Sequence, residues 1–200
     1  MAKLGLIAMG AVALALVATA ATLARAKSDD PEKVNAWFRG LSQPLSHAKH
    51  KTTHLHFYLH DTLSGKSPTV VRAAEAAMTK TSPTLFGAVN ILDDPLTEGP
   101  ELASPLVGWA QWFYALTGLK SMALLMYMNL VFTSLDHNGS TLSMLGRNPP
   151  FEFQTYQEMP IVGGTGVFQL ASGIATAKTY FFNSTTGDAV VEYNVISVHY

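Results

Sequence analysis

The chain has 200 residues, of which 48% are hydrophobic and 14% are charged, and its formal net charge is −1. This apolar content is too high for a disordered chain, and without a basic excess the chain does not resemble a nucleic-acid-binding protein. The sequence has no cysteine, which excludes disulfide bonds, cysteine-ligated metals and a thiol nucleophile. Any chemistry must come from oxygen or imidazole groups.

The first 26 residues have the pattern of a secretory signal peptide. Lys3 is followed by an apolar run from Leu4 to Leu23 and by the small-residue cleavage pattern Ala24-Arg25-Ala26. The alternative is a membrane anchor, because the run is about long enough to span a bilayer. Its many alanines and threonines and the adjacent cleavage site favour the signal peptide. We therefore predict a mature chain that begins near Lys27, is secreted to the extracellular space and has no membrane association.

Residues 27–51 are polar and lack a sustained apolar period, which predicts a flexible N-terminal arm. From residue 52 to 200 the chain consists of short apolar runs separated by turn residues, which is typical of an all-β domain. The predicted strands are Thr53–His60, Leu85–Leu92, Val107–Ala115, Met122–Thr133, Thr141–Leu145, Val167–Phe182 and Ala189–Val198. This pattern predicts a β-sandwich or an up-and-down barrel and does not distinguish the two.

Three of the intervening segments carry specific turn signals. Asn138-Gly139 favours a tight hairpin turn, and Asp93-Asp94-Pro95 is interpreted as a turn between strands. The glycines from Gly163 to Gly166 lie between predicted strands and open no helix, so a tight turn or bulge is favoured over a phosphate-binding loop. Asn138 and Asn183 each begin an Asn-x-Ser/Thr sequence in a turn-like segment and are predicted glycosylation sites.

The segment His54–Asp61 supplies the first candidate for chemistry. Because side chains alternate between the faces of a strand, Leu55, Phe57 and Leu59 share one apolar face with Asp61. An inward carboxyl has a raised pKa and suits acid–base work. The alternative is that Asp61 only caps the turn after it.

The opposite face of the same strand carries His54, His56, Tyr58 and His60. Two histidines one residue apart on a strand are compatible with a metal site, but no further ligand is close in the sequence. We interpret the four side chains as solvated or as part of an interface between copies of the chain, and we expect no metal.

An aromatic strand supplies a second candidate. Tyr114 ends the run Trp109-Ala110-Gln111-Trp112-Phe113-Tyr114 and either presents its hydroxyl to a cavity or is a core tyrosine with a backbone partner. If the barrel is hollow, this abundance of aromatic residues favours a flat, apolar ligand.

Several runs together resemble the plant dirigent proteins over most of the chain, from about Thr52 to Tyr200. They are Phe57–Asp61, Ala110–Tyr114, Asn138–Leu142, Leu145–Pro149, Pro160–Gly166 and Asp188–Val195. The resemblance implies an eight-stranded antiparallel up-and-down β-barrel of the allene-oxide-cyclase-like or calycin-like type. It also implies secretion to the plant cell wall, glycosylation, and a homodimer or homotrimer.

The resemblance further implies a function. Dirigent proteins impose one coupling geometry on phenoxy radicals, such as those of coniferyl alcohol, that a separate laccase or peroxidase generates, and the product is an optically active lignan. They need no cofactor. The alternatives within this resemblance are a dehydratase that closes a pterocarpan ring from an isoflavanol, or a cell-wall protein that binds phenolics without catalysis.

The site residues carry over position by position. Asp61 and Tyr114 match the catalytic aspartate and tyrosine of the family, and Phe57 and Trp112 are expected to contact substrate. Asn148 and Gln157 stand where lignan-forming relatives have an aspartate and an arginine, with Arg147 beside the first. These three are also expected to bind substrate, and the loss of charge places more of the acid–base work on Asp61.

Overall fold

The computed structural model describes residues 32, 33, 36, 39, 49–149 and 156–200. The chain divides into two compact units, Met1–Ala48 and Lys49–Tyr200. In the first unit the four described residues, Glu32, Lys33, Ala36 and Arg39, are helical and exposed. The predicted signal peptide, its predicted cleavage site and most of the predicted arm lie outside the described residues. Within the described part, no helix has the length and apolar content that a membrane span requires.

The second unit is built from nine strands. They are β1 (Lys51–Asp61), β2 (Val70–Ala74), β3 (Val89–Thr97), β4 (Leu106–Leu116), β5 (Leu124–Phe132), β6 (Thr141–Asn148), β7 (Gln157–Thr165), β8 (Ser172–Phe182) and β9 (Ala189–His199). The neighbours in the sheet are antiparallel, in the order β1-β9-β8-β7-β6-β5-β4-β3-β2, and a further pairing of β1 with β3 closes the sheet. The eight strands other than β2 form a closed antiparallel up-and-down barrel, which confirms the predicted fold.

Strand β3 changes its partner along its length. Its first half pairs with β2 as far as Leu92, and its last residues, Leu96 and Thr97, pair with β1. The predicted turn at Asp93-Asp94-Pro95 is therefore wrong, because these residues continue β3 between its two pairings. A proline, which cannot donate a backbone hydrogen bond, is tolerated where the ladder changes partner.

Strand β2 was absent from the predicted strands because its last four residues are exposed and no apolar alternation marks it. Strand β7 was also missed, since its glycines were interpreted as lying between strands. Gly163 and Gly164 lie inside β7, beside a register irregularity between Ser143 and Met144 of β6. A Cβ atom on Gly164 would lie 2.6 Å from the carbonyl oxygen of Thr141, so this strand needs glycine there.

The hairpin that contains Asn138-Gly139 joins β5 to β6, as predicted. The connection is longer than a two-residue turn, because a 3-10 helix at Leu135–His137 precedes it. Gly139 has a φ of 78°, which explains the glycine.

Alternate side chains of the strands fill the barrel. The fully buried large residues of this core are Phe57, Leu59, Leu96, Met128, Leu130, Leu142, Met144, Met159 and Val195. At one end, Phe168 contacts the rings of Phe132 and His199. The other end, where β1 finishes at Asp61, contains a cavity.

Candidate functional site

The cavity has a volume of about 160 Å³. Its lining residues are Leu59, Asp61, Trp112, Leu124, Met126, Asn148, Gln157, Ala177, Thr179, Val191 and Tyr193. Most of the wall is apolar or aromatic, and among the described lining residues Asp61 alone carries a carboxyl. Such a cavity suits a flat, apolar ligand with few polar groups.

Asp61 enters this cavity because β1 alternates regularly. Phe57 and Leu59 are buried on the same face, and Asp61 follows them at the end of the strand. Its Oδ1 atom is buried without a hydrogen-bond partner. The alternative role of turn cap belongs to Asp188, whose Oδ1 accepts hydrogen bonds from the backbone N–H groups of Leu63 and Ser64 at 2.8 and 2.9 Å.

A second carboxyl, which sequence reasoning missed, lies on the strand that closes the barrel. Because Leu59 pairs with Leu96, continuing the antiparallel register by two residues places Asp61 level with Asp94. Asp94 is fully buried and accepts a hydrogen bond from the indole Nε1–H of Trp112 at 2.6 Å through Oδ2. Its Oδ1, like that of Asp61, is buried without a partner. The sequence did carry a signal for this residue, since Leu92, Asp94 and Leu96 alternate with outward positions.

Both carboxyls hold protons more tightly than an exposed aspartate does. Burial raises the pKa of Asp61 to about 7, and the charges of Asp94 and Asp188 add to the effect. Burial also raises the pKa of Asp94 to about 6, opposed by hydrogen bonds from Thr69 and Trp112. In mildly acidic solution Asp61 is therefore largely protonated, and the site can donate a proton to a bound molecule and later take one back.

Two tyrosines lie near the carboxyls of Asp61 and Asp94. Tyr193 is buried, lines the cavity and stacks on Phe57 with ring centroids 5.6 Å apart. Tyr114 packs against the core beside Trp112, with centroids 5.5 Å apart, and is not one of the lining residues. Burial, followed by the charge of Asp61, raises the pKa of the Tyr114 hydroxyl. Tyr114 therefore remains a hydrogen-bond donor next to the acid pair.

The structure brings most of the other candidate residues to this end of the barrel. Trp112, Asn148 and Gln157 line the cavity, and the Oδ1 atom of Asn148 is buried without a partner. The Nε2 of Gln157 donates to the carbonyl oxygen of Pro149 at 3.3 Å. Phe57 lies behind the wall, under Tyr193. Arg147 is exposed on the outer face of β6 and lies outside the cavity, because neighbouring residues of a strand face opposite ways.

On the histidine face of β1, one residue does not have the solvated environment that the sequence predicted. His60 is buried, and its Nε2 hydrogen-bonds to Oγ1 of Thr97 at 2.7 Å. It is therefore not solvated, because the end of β3 covers it. In the described part of the chain, no three histidine or acidic side chains gather as a metal site would require.

Both predicted glycosylation sites lie in turns. Asn138 is exposed, and Asn183 is partly buried, with its side-chain oxygen accepting the backbone N–H of Thr185 at 2.9 Å. Their occupancy stays a prediction.

The chain is similar to known proteins over its whole length. The family model described as "Dirigent-like protein" matches residues 52–198. Dirigent protein 21 of Arabidopsis thaliana is 47% identical over 199 residues, covering 100% of both chains. Pterocarpan synthase 1 of Glycyrrhiza echinata is 46% identical over 156 residues, covering 78% of this chain and 82% of its own length.

Among solved structures, that of the pterocarpan synthase dirigent protein GePTS1 superposes with a TM-score of 0.71. Its sequence identity is 47%, over 76% of this chain and 87% of its own. The family match covers the barrel strands except for their first and last residues, Lys51 and His199. The chain therefore belongs to the dirigent family.

Proposed function

We propose that the protein is a dirigent-type catalyst that eliminates water from a phenolic isoflavanol and closes an ether ring. Two of its relatives are named pterocarpan synthase. The observation that carries this proposal is the buried carboxyl of Asp61, whose pKa of about 7 keeps it protonated in mildly acidic solution. A neutral carboxylic acid inside an apolar cavity is a general acid.

The steps balance without an oxidant or a reductant. The Asp61 carboxyl gives its proton to the hydroxyl group of the substrate, the carbon–oxygen bond breaks, and water leaves. The electrons come from an ionised phenolic oxygen of the substrate, which leaves a neutral quinone methide. A second phenolic hydroxyl then attacks the methide carbon, and its proton returns to the Asp61 carboxylate. The net change is the loss of one water molecule.

The cavity next to Asp61 has a volume of about 160 Å³, which is room for an aromatic ring with its reacting carbon beside the carboxyl.

The second candidate is stereoselective coupling of phenoxy radicals to a lignan, with a separate laccase or peroxidase as the radical source. The aromatic wall formed by Trp112 and Tyr193 favours it, since such a wall can hold a flat radical in one orientation. In that reaction Asp61 would serve the later ring closure of the quinone methide by the same proton transfer.

The two candidate reactions can be distinguished by the reagents that they require. Purified protein is incubated with a racemic isoflavanol and no oxidant, and in parallel with coniferyl alcohol and a laccase, and the products are resolved on a chiral column. Ring-closed product without oxidant, lost in Asp61→Asn, supports the first proposal. An enantiomeric excess of lignan only in the laccase arm supports the second and overturns the first. Activity in neither arm contradicts both and favours a protein that only binds phenolics.

We further propose that the protein is secreted to the plant cell wall, on the evidence of its N-terminal sequence, and that it works as a homo-oligomer. Support for association is a row of exposed apolar side chains on the outer face of β2 to β6. Strand pairing places its members side by side, and they are Val71, Ile91, Phe113, Tyr127 and Leu145. Contiguous apolar surface of this kind is typical of contact sites.

A further inference from the structure

A second row of residues crosses the strands on the inner side. Arg72 of β2 pairs with Asn90 of β3, and Asn90 pairs with Tyr114 of β4. Val70 packs against the core, so Arg72, two residues later, lies on the same face of β2. Asn90 and Tyr114 alternate with the outward residues Ile91 and Phe113. The three side chains therefore form one line, beginning at the β2 edge and running toward the acids.

Hydrogen bonds fix the direction of this line. The Nε–H of Arg72 donates to Oδ1 of Asn90 at 2.9 Å. Because that contact engages the amide oxygen, the Asn90 nitrogen points elsewhere. The Nη1 of Arg72 also contacts Oε2 of Glu75 at 3.4 Å, where both side chains are more than a third exposed. An exposed ion pair of this length is weak and exchangeable.

The charge of Arg72 acts on the site. Its positive charge opposes the rise that burial and Asp61 cause in the pKa of the Tyr114 hydroxyl. By contrast, the described residues that line the cavity include no lysine and no arginine. Asn148 and Gln157, which also line it, are uncharged. Arg72 is thus a cation that acts on this end of the barrel through Tyr114.

We propose that Arg72 binds an ionised phenolic oxygen of the substrate at the β2 side of the barrel, with Tyr114 as the second donor. This inference rests on the proposed phenolic substrate. A guanidinium has five N–H donors in a planar fork and pairs well with an oxyanion. In the elimination, electrons leave the phenolic oxygen when the methide forms and return to it when the ring closes. Arg72 holds that oxygen while Asp61 moves the proton at the other end of the reacting system.

The assignment gives β2 a function beyond the closed barrel. The strand lies outside the eight strands of the barrel, yet its one charged residue reaches back over β3 toward Tyr114. A substrate without an ionisable phenol would gain nothing from this residue. Arg72 is therefore expected to select for acidic phenols.

The test uses 4-nitrophenol, whose phenolate absorbs visible light, and 4-nitroanisole, which cannot ionise. Titrations of the full-length protein are compared with those of Arg72→Gln, at a pH where the first probe is ionised. We expect Arg72→Gln to weaken 4-nitrophenolate binding about five- to tenfold, the loss of one partly exposed charge-assisted hydrogen bond. Binding of 4-nitroanisole should be unchanged.

Glu75→Gln is the matched control, because it removes the same ion pair and leaves the guanidinium in place. It should leave phenolate binding equal or tighter, since Arg72 loses a competing anion. An equal loss in Glu75→Gln and Arg72→Gln, or no loss in Arg72→Gln, would overturn the assignment. If Arg72→Gln does not fold, Arg72→Lys keeps the charge without the fork and should bind phenolate less tightly than the native protein.

Failure of this inference is separable from failure of the proposed function. Probe binding requires no turnover, so it can depend on Arg72 even if the isoflavanol is not converted. If turnover of the isoflavanol depends on Asp61 but not on Arg72, the role of Asp61 as the acid is supported and the phenolate subsite at Arg72 is excluded.

Discussion

The indole of Trp112 donates to Asp94 at 2.6 Å, and this bond holds one oxygen of a buried carboxyl whose other oxygen has no partner. The bond lowers the pKa of Asp94 against the effect of burial. The charge of Asp94 in turn raises the pKa of Asp61. Trp112 thus influences the acid of the site through a second carboxyl, in addition to forming its wall.

Trp112→Phe should raise the pKa of Asp94 further, because the ionised carboxyl loses its donor. Asp94 then carries less charge near neutral pH, and the pKa of Asp61 falls. The alkaline limb of the pH–rate profile for isoflavanol conversion should move to lower pH. Trp109→Phe, on the outer face of the same strand, is the control and should leave that limb in place. Equal movement in both variants would contradict a role for the Trp112 bond.

Asp61→Asn should abolish ring closure while leaving the fold intact, because an amide keeps the shape of the carboxyl but cannot transfer its proton. In the native protein the rate should fall as the pH rises through about 7, where Asp61 loses its proton. The measurement is the initial rate from about pH 5 to 8, with circular dichroism as the check on folding. A folded variant that still gives one enantiomer would remove Asp61 from the mechanism.

Asp61→Asn should also stabilise the protein, by an amount that depends on pH. With a folded pKa of about 7 against 3.8 unfolded, Asp61 binds more protons in the native state between these values, so its contribution to stability falls as the pH rises through that window. Asn carries no such penalty. The stability of Asp61→Asn relative to the native protein should therefore grow from pH 4 to 7 by on the order of a few kcal/mol and then level off. Urea unfolding of both proteins measures the difference, in which the titration of His60 cancels. A pH-independent difference would show that Asp61 is not desolvated.

Two neighbouring glycines of β7 supply a matched pair for packing. A Cβ atom on Gly164 would lie within 3 Å of Thr141 and Phe168, whereas one on Gly163 would meet nothing within 4 Å. Gly164→Ala should cost about 1–3 kcal/mol of unfolding free energy through overpacking. Gly163→Ala should change it little. Similar losses in both variants, measured by thermal unfolding, would show that strand propensity and not close contact decides the cost.

Association should depend on the outer face of β3 to β5. Phe113→Lys places a charge in the middle of the exposed row, next to Tyr127, and should shift the mass measured by light scattering toward the monomer. His54→Lys, on the face that the sequence suggested, should not. A native protein that is monomeric at micromolar concentration would contradict the proposed association.

Alternation was sufficient to place Asp61, because β1 is long, regular and apolar on one side. The same alternation was present around Asp94, but the aspartates and the proline of this segment are also typical of turns, and its continuous pairing with β4 is visible only in the structure. The burial of His60 depends on Thr97, 37 residues away, and no local pattern reports such a contact. Arg72 was unremarkable in the sequence for the same reason, since its position follows from pairing with Asn90.

The seam between β1 and β3 has only two paired positions, Tyr58 with Thr97 and Leu59 with Leu96. The pairing stops just short of the two carboxyls, so this part of the wall is shaped by side chains and by the connection from Thr62 to Thr69 more than by a continuous backbone ladder. That connection contacts two carboxyls, since Ser64 donates to Asp188 and Thr69 hydrogen-bonds to Asp94. Because the charges of Asp94 and Asp188 both raise the pKa of Asp61, substitutions in this one short surface segment are expected to change the acidity of the site.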